Sequence, residues 1–569
     1  MLNKFKIDTL FAVGFGLSWL VLTQVSGLKL TFDSTVYLAY ALNMHHADSF
    51  FEMTMVPVWP PLYSFLIHIF MFFNIFPAEA AALLNGISLL LCLVVFSLIL
   101  QRFSHNRLLN LLFLIALCTF TGFLNSYFHI MSEAPFSLFI VIHLYFLIRH
   151  HETCQVKYYI LAAIFVSLAT LTRYMGYSLI ITFMGYTIYF LIQNSKNKQN
   201  YLWKKYLLWN SITYIPILLY ITKNYIYFNV FHGDRQSSNL TIYQNFDRVL
   251  TVLTSDLNVF LLTLFALSVL SYVIFAFFNR QKSEKSIALI SYILSFIIIY
   301  IILLVYTTSQ VQVDPISTRY FSPLYACLFI VIVISLNTTL PILTIHHQYF
   351  HQLSTVVLYF FILAICVVHL KGFTQFINTI YQKSSSATYY SDIGFKLSPT
   401  SKELNNFFET LLLKQDNLYI SFLDYGKYSY DGAFFFRYNL ITRPEFNNFS
   451  FKKLGNQWWS NFNLSFDREG EKKTLHYLTL PHPENNQELV KTIRRILLRK
   501  KLNSLWLITD GSWKKSELSK LTTRALQIII KKEIKPYTIY KFVLKKTRFN
   551  FIRMPKYNFG TPQFGVSKC

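Results

Sequence analysis

The chain reads as a polytopic α-helical membrane protein of about eleven spans followed by an extracytoplasmic α/β domain. Of its 569 residues, 54% are hydrophobic and 18% aromatic while only 14% are charged, and the mean hydropathy is +0.39. That balance is foreign to a soluble chain of this size. Apolar runs near or above the roughly 18–20 residues that cross the hydrocarbon recur from Thr9 to about Leu370 and then stop. This divides the chain into a transmembrane domain, 1–370, and a polar portion, 371–569, long enough to fold around its own core.

The expected spans are 9–28, 79–100, 108–124, 134–148, 158–172, 176–192, 206–221, 258–278, 287–306, 321–337 and 353–370. Lys4 and Lys6 precede the first run as in a signal peptide, but no small-residue cleavage site follows "SWLVLTQVSGLKL" and many spans come after it, so it is read as a retained anchor. The six cysteines, at 92, 118, 154, 327, 366 and 569, include no CxxC pair and form neither a disulfide framework nor a zinc site.

Orientation follows from the loops. With the N-terminus in the cytoplasm, the cytoplasmic segments hold thirteen Lys and Arg residues, and the opposite side holds six: Lys29, Arg173, Lys223, Arg235, Arg248 and Arg319. The positive-inside rule favours that arrangement. It requires 61–76, "PLYSFLIHIFMFFNIF", to be an in-plane or re-entrant amphipathic helix rather than a span, because counting it would invert every later loop. An odd number of spans then leaves the C-terminal portion outside the cytoplasm. The chain is expected in a cell membrane, multi-pass, in contact with membrane lipids.

That portion has 33 Lys and Arg against 15 Asp and Glu, a net of +18 out of +25 for the whole chain. A basic surface of this kind suits an anionic membrane face or an anionic acceptor; nucleic acid does not fit an extracytoplasmic location. Helix-like "SKELNNFFETLLL" precedes strand-like "NLYISF", "ENNQELVKTIRRILLRK" precedes "SLWLITD", and "SELSKLTTRALQIIIKK" precedes "PYTIYKFVL". This alternation predicts a small layered α/β sheet.

Ionisable groups at the outer membrane edge are few, and they cluster. Asp33 and Tyr37 stand at i, i+4 in the first loop, on one helical face. Glu133 opens the fourth span, Arg173 ends the fifth, Lys223 and Arg235 bracket the loop after the seventh, and Arg319 and Tyr320 open the tenth. Each has a plain alternative: Asp33 as a helix cap or partner of Lys29, Glu133 as the cap of its own span ahead of Pro135, and the arginines as snorkelling anchors of helix ends. His45, His46 and Asp48 raise the question of a metal, but adjacent histidines do not share a helix face. No cofactor is read from the sequence; a divalent metal stays open without being predicted.

"FDSTVYLAYALNM…VPVWPPLYSFLI", "SEAPFSLF", "LATLTRYMGY", "KNYIYFNVFHGDR" and "STRYFSPLY", in this order, resemble the bacterial branch of the GT-C integral-membrane glycosyltransferases, which is similar to dolichyl-phosphate-mannose protein mannosyltransferases and lipid A aminoarabinose transferases. The resemblance covers about residues 5–370. It implies a GT-C-like fold and a sugar donor carried on a polyprenyl phosphate. The sugar would pass outside the cytoplasm to a hydroxyl acceptor of unknown type, and Asp33 takes the place of the first-loop catalytic acid. Ser34 follows Asp33 where the protein mannosyltransferases have a second acid, and Trp59 precedes the proline pair Pro60 and Pro61 where the aminoarabinose transferases have a lysine. Both departures count against those two activities in particular.

The chemistry is coherent with these residues. Displacing phosphate from an anomeric carbon needs a base for the incoming hydroxyl and cations for the departing phosphate. Asp33 is expected as general base, Arg173 and Arg319 as phosphate ligands through their planar forks, Lys223 and Arg235 as further cations, and Glu133 as a group orienting sugar or acceptor. Tyr37 and Tyr320 complete the expected binding residues. A polyprenyl-linked glycan polymerase or ligase, a lipid transporter or flippase, and a scaffold with a decayed site are the competing expectations. Transporters favour mid-membrane charges on broken helices in repeated halves, and here the charges sit in loops with no visible repeat.

Overall fold

The computed structural model describes residues 7–26, 28, 32–46, 59–104, 106–195, 202–229, 231–232, 238, 240–256, 259–278, 280–311, 316–346 and 348–381, and further on residues 403, 407, 410–411, 417–423, 449–453, 461–468, 471–480, 493, 495, 497–498, 504–509, 526–534 and 537–544. The chain divides into two compact units: Met1–Asn417 with Tyr430–Tyr477, and Leu418–Ser429 with Leu478–Cys569.

The first unit is dominated by helices. In chain order they are α1 (Ile7–Ser26), α2 (Phe32–His46), α3 (Leu62–Met71), α4 (Pro77–Phe103), α5 (Arg107–Thr119), α6 (Thr121–Phe128), α7 (Glu133–Thr153), α8 (Val156–Thr172), α9 (Tyr177–Ser195), α10 (Leu202–Asn210), α11 (Ile215–Phe228), α12 (Ile242–Asp256), α13 (Val259–Phe278), α14 (Arg280–Gln310), α15 (Ser322–His346) and α16 (Gln348–Tyr381). Short 3-10 turns at Tyr174–Gly176 and Thr318–Phe321 precede α9 and α15.

Local chemistry sets the boundaries. Pro77 sits in the first turn of α4, where its missing N–H costs nothing. Asn106 caps α5 by accepting from Leu109 N at 3.1 Å. α7 and α11 stop at Cys154 and Asn229, both in the left-handed conformation. Phe120 is extended between α5 and α6, which meet at a 58° bend.

Six helices among the described residues are long and apolar enough to cross a membrane, or seven if the bent α5–α6 pair is one span. The chain is thus a multi-pass α-helical membrane protein, but the expected eleven spans are not reached by length and composition. The seventeen residues of α8 extend only about 26 Å at 1.5 Å each. The expected span at 206–221 is divided between α10 and α11 by a 3-10 turn at Ser211–Thr213 ahead of Pro216. α3 is ten residues long, about 15 Å, too short to span. It buries Tyr63, Ser64, Ile67 and Met71 and exposes Phe65, Ile69 and the following Phe72 and Phe73.

The core lies where α4, α7 and α15 pack on one another, the stretch from Thr318 to Leu336 being the most enclosed of the candidate spans. α1 lies against α4 at very close range. A Cβ added to Gly16 would stand 2.7 Å from Leu90 Cα, and one added to Gly86 would stand 2.4 Å from Leu20 Cδ1. Glycine at both positions is what lets these two backbones approach.

Among the described residues seven strands follow: β1 (Asn417–Leu423), β2 (Phe449–Lys453), β3 (Asn461–Arg468), β4 (Glu471–Leu480), β5 (Ser504–Thr509), β6 (Leu526–Ile534) and β7 (Tyr537–Leu544). In the first unit β2 and β3 pair antiparallel, Ser450 opposite Ser465. In the second, β1 pairs parallel with β5, Ile420 opposite Trp506, and β5 pairs antiparallel with β7, Leu507 opposite Tyr540. β7 pairs in turn with β6, for an order β1-β5-β7-β6. Consecutive Leu505, Trp506 and Leu507 are all buried, as expected of a strand covered on both faces.

The strands expected at 417–422, 504–510 and 536–544 are present, but the third expected C-terminal helix, 516–532, is overturned over its second half. Residues 526–534 form β6, which pairs antiparallel with β7. Three consecutive isoleucines, 528–530, are stiff at χ1 and favour the extended chain.

Candidate active site

The first helix after the first long apolar run is α2, and Asp33 lies in its first turn, where the amide dipoles favour a carboxylate. One turn on, Tyr37 is buried. Its ring meets Tyr63 edge-on at 5.0 Å and Trp59 at 6.2 Å, and its carbonyl accepts from Ser64 Oγ at 2.9 Å. α3 therefore fixes the height and rotation of α2. Tyr220 of α11 donates to the Trp59 carbonyl at 2.9 Å, and Tyr63 donates to Asn85 Oδ1 of α4 at 3.1 Å.

From Tyr37 the polar chain runs inward. Its hydroxyl shares a 2.8 Å hydrogen bond with Ser132 Oγ, to which Arg173 Nη1 donates at 3.2 Å. Ser132 occupies the N-cap of α7 but makes no capping bond with its side chain; the hydroxyl links a tyrosine and an arginine instead. Arg173 Nη1 also lies 2.7 Å from Glu133 Oε2, with the two side chains 10% and 1% exposed. The contact is charge to charge rather than an in-line hydrogen bond, and Glu133 Oε1 has no hydrogen-bond partner among the described residues.

The last pieces come from the turn before α15. The guanidinium of Arg173 lies 5.9 Å from the centroid of the Tyr320 ring and that of Arg319 lies 5.1 Å from the same centroid, so one aromatic ring serves two cations. Arg319 also contacts Tyr320 Oη at 3.4 Å and Met131 Sδ at 4.0 Å. Tyr300 of α14 donates to the Tyr320 carbonyl at 2.7 Å, holding the turn.

Burial raises the phenol pKa of Tyr37; the Arg173 charge opposes that rise, and Asp33 and Glu133 add to it, so the side chain stays a neutral hydrogen-bonding group. Burial disfavours the charge on Arg173, yet Glu133 and the tyrosines 37, 300 and 320 more than offset this and its pKa moves upward. Lys223, buried on α11 one turn beyond Tyr220, is pushed down to about 8 by burial.

Of the residues singled out in the sequence, Tyr37, Glu133, Arg173, Arg319 and Tyr320 thus come together from α2, α7, the α8–α9 junction and the turn before α15, and Asp33 stands one turn before Tyr37 on α2. Lys223 stands on the helix that contacts Trp59, and Arg235 lies outside the described residues. Ser132, Met131 and Tyr300 were not anticipated. A serine just ahead of a helical Glu-x-Pro reads as an ordinary cap, and only its unmade capping bond marks it. The rings of His45 and His68 lie 5.5 Å apart, while Asp48 is outside the described residues. Among the described residues no group of three or more His, Cys, Asp or Glu side chains could hold a metal ion.

The family described as dolichyl-phosphate-mannose-protein mannosyltransferase matches residues 58–220. Among solved structures, ArnT from Cupriavidus metallidurans in the apo state is similar, with a TM-score of 0.53 and 11% identity over 93% of this chain and 97% of that one. ArnT from the same organism bound to undecaprenyl phosphate gives 0.50 and 11% over 94% and 97%. No curated protein matches this chain.

Proposed function

From the premise that the chain is a GT-C superfamily membrane protein related to the PMT- and ArnT-like proteins, we propose that it moves a sugar from a polyprenyl-phosphate donor to a hydroxyl acceptor. Transfer takes place on the extracytoplasmic side, with the N-terminus in the cytoplasm and the portion after about residue 370 outside it. The observation that carries this reading is the convergence of Tyr37, Ser132, Glu133, Arg173, Arg319 and Tyr320 through contacts of 2.7–3.4 Å and one shared ring, with Asp33 one helical turn before Tyr37 and close enough to act on its phenol electrostatically. A related fold has been seen with undecaprenyl phosphate bound, which supports the class of carrier.

In this reading the Asp33 carboxylate takes the proton of the acceptor hydroxyl as its oxygen bonds to the anomeric carbon. The bond from that carbon to the phosphate oxygen breaks, and the polyprenyl phosphate leaves as an anion. Phosphate departs readily, so one carboxylate suffices and no acid partner is needed. Arg319 and Arg173 face the leaving phosphate with their forks, Lys223 adds positive charge from α11, and Arg235 is the further cation expected from the sequence. Groups fixed in advance in a water-poor site stabilise developing charge more than mobile water does. Glu133, expected from the sequence to orient sugar or acceptor, takes the part of holding Arg173 in place, since its carboxylate is almost wholly enclosed against that guanidinium.

The test is Asp33→Asn, which keeps size and hydrogen bonding but cannot take the proton. Sugar transfer is expected to fall roughly 10²- to 10⁴-fold while mass spectrometry of the purified protein still finds a polyprenyl phosphate or its sugar ester. Near-normal turnover removes Asp33 from the mechanism, and absence of any polyprenyl lipid from both proteins removes the carrier.

A further inference from the structure

α12 is not among the helices long and apolar enough to cross a membrane. Its start is fixed by a reciprocal cap: Thr241 N donates to Gln244 Oε1 at 3.0 Å and Gln244 N to Thr241 Oγ1 at 3.2 Å. At 100° per residue, Ile242, Phe246, Leu250 and Leu253 share one face. Gln244, Asp247, Arg248, Thr251, Thr254 and Ser255 fill the opposite one. An ordinary surface helix turns its apolar stripe to the core, but only the edge of this stripe is covered. Asn245 and Val249 are buried, while Ile242, Phe246 and Leu250 are exposed and neighbouring Tyr243 is 79% exposed.

The place where α12 is attached says what covers the rest. Asn245 Nδ2 donates to Ser309 Oγ at 3.0 Å and Ser238 N donates to the Gln310 carbonyl at 3.1 Å. Both contacts are at the last turn of α14, a candidate span over Ser286–Gln310. α14 exposes Ile298, Ile302 and Tyr306 at four-residue intervals, the lipid-facing stripe of that helix. Ser309, three residues beyond Tyr306, lies on the same face. α12 therefore crosses the outer end of a lipid-facing stripe, and its own exposed apolar residues continue it. It also packs against the Thr318–Phe321 turn that carries Arg319.

We infer that α12 lies in the lipid–water interface with Ile242, Tyr243, Phe246 and Leu250 in the acyl boundary, and that it ties the Arg319 turn to the level of the bilayer surface. The partner is the bilayer itself, held by apolar insertion rather than charge. Asp247, Arg248 and Asp256 leave the helix at −1, whereas helices drawn to anionic lipid are rich in Lys and Arg. The inference does not depend on the glycosyl-transfer reading, because it concerns only where α12 sits.

The experiment places a nitroxide on single cysteines in the full chain carrying Cys154→Ser and Cys569→Ser, reconstituted in nanodiscs of zwitterionic phospholipid. The variants are Phe246→Cys, Leu250→Cys, Asp247→Cys and Thr254→Cys, all at exposed positions. Collisions with oxygen, relative to those with a water-soluble nickel chelate, are expected to be several-fold more frequent at 246 and 250 than at 247 and 254. Adding anionic lipid is expected to leave the ratio unchanged. Equal ratios at all four positions, meaning a helix in water, overturn the inference. So does shielding of 246 and 250 from both reagents with spin–spin broadening, meaning a second copy covers the face.

Discussion

The ion pair between Glu133 and Arg173 is the most informative point at which to perturb the site. Both side chains are buried and 2.7 Å apart at their nearest atoms. With charge centres about 4 Å apart and an effective dielectric near 20, their attraction is about 4 kcal/mol, and removing one partner of a buried pair typically costs about 3–5 kcal/mol because the other charge is left behind. Glu133→Gln keeps the volume and an accepting oxygen, so its destabilisation is expected at the lower end, about 3 kcal/mol. Arg173→Met with Glu133→Gln removes both charges and is expected to cost less than the sum of the singles. If Arg173 is built to face a phosphate, the anion that Glu133→Gln lacks can be supplied by ligand. Thermal denaturation in detergent, with and without added polyprenyl phosphate, reads this out: the stabilising shift on adding lipid is expected to be larger in Glu133→Gln than in the unmodified protein. A variant as stable as the parent, or one whose lipid-induced shift is no larger, refutes the reasoning.

Two further outcomes follow from the same geometry. A Cβ at Gly176 would stand 2.5 Å from Thr170 Cα and 2.7 Å from Thr170 N, backbone that cannot yield, so Gly176→Ala is expected to displace the turn bearing Arg173. The cost is about 1–3 kcal/mol of stability with weaker retention of polyprenyl lipid, and unchanged melting and retention refute it. Lys223, pushed down to about 8, loses its charge as pH rises through that value, so donor binding is expected to weaken from pH 7 to pH 9 and to be less pH-dependent in Lys223→Met. Because the unfolded lysine keeps its proton to about 10.4, the folded state binds fewer protons between those values and the lysine's contribution to stability rises with pH there. Titrating both quantities separates ligand binding from folding.

The residues that could be read from the sequence are those whose chemistry is out of place where they stand. A charge beside an apolar run is visible without coordinates, and Asp33, Glu133, Arg173, Lys223 and Arg319 were all visible for that reason. Ser132 was not, because its residue type suits a helix start; only the structure shows its hydroxyl turned to Tyr37 and Arg173. Apolar runs identify helices but not how a helix meets the membrane. The stretch 206–221 reads as one span yet breaks ahead of Pro216, and α8 is short. In the C-terminal portion the third expected helix failed because a short apolar run between polar residues fits period 3.6 and period 2 about equally well. The pairing of 526–534 with β7, which decides between them, is a non-local contact.

The smaller number of long spans does not disperse the site, because its residues lie where successive helices turn back. Ser132 and Glu133 start α7 and Arg173 follows the last residue of α8; these two helices run next to each other down the chain and pack closely, which brings the start of one level with the end of the other. Tyr300 of α14 holds the turn that carries Arg319 just ahead of α15 through the Tyr320 carbonyl, and these two helices are again a consecutive packed pair. Ser137, one turn into α7, faces Ser322, the first residue of α15, at 3.4 Å, so the two pairs share a level. α2 is drawn to the same level by the Tyr37–Ser132 bond. Whether α8 crosses the whole hydrocarbon or α10 and α11 form one span or two, these junctions remain at one end of the bundle. The helix that carries Asp33 and the junctions that carry the two arginines are therefore brought to one level through connectivity that the span count does not touch.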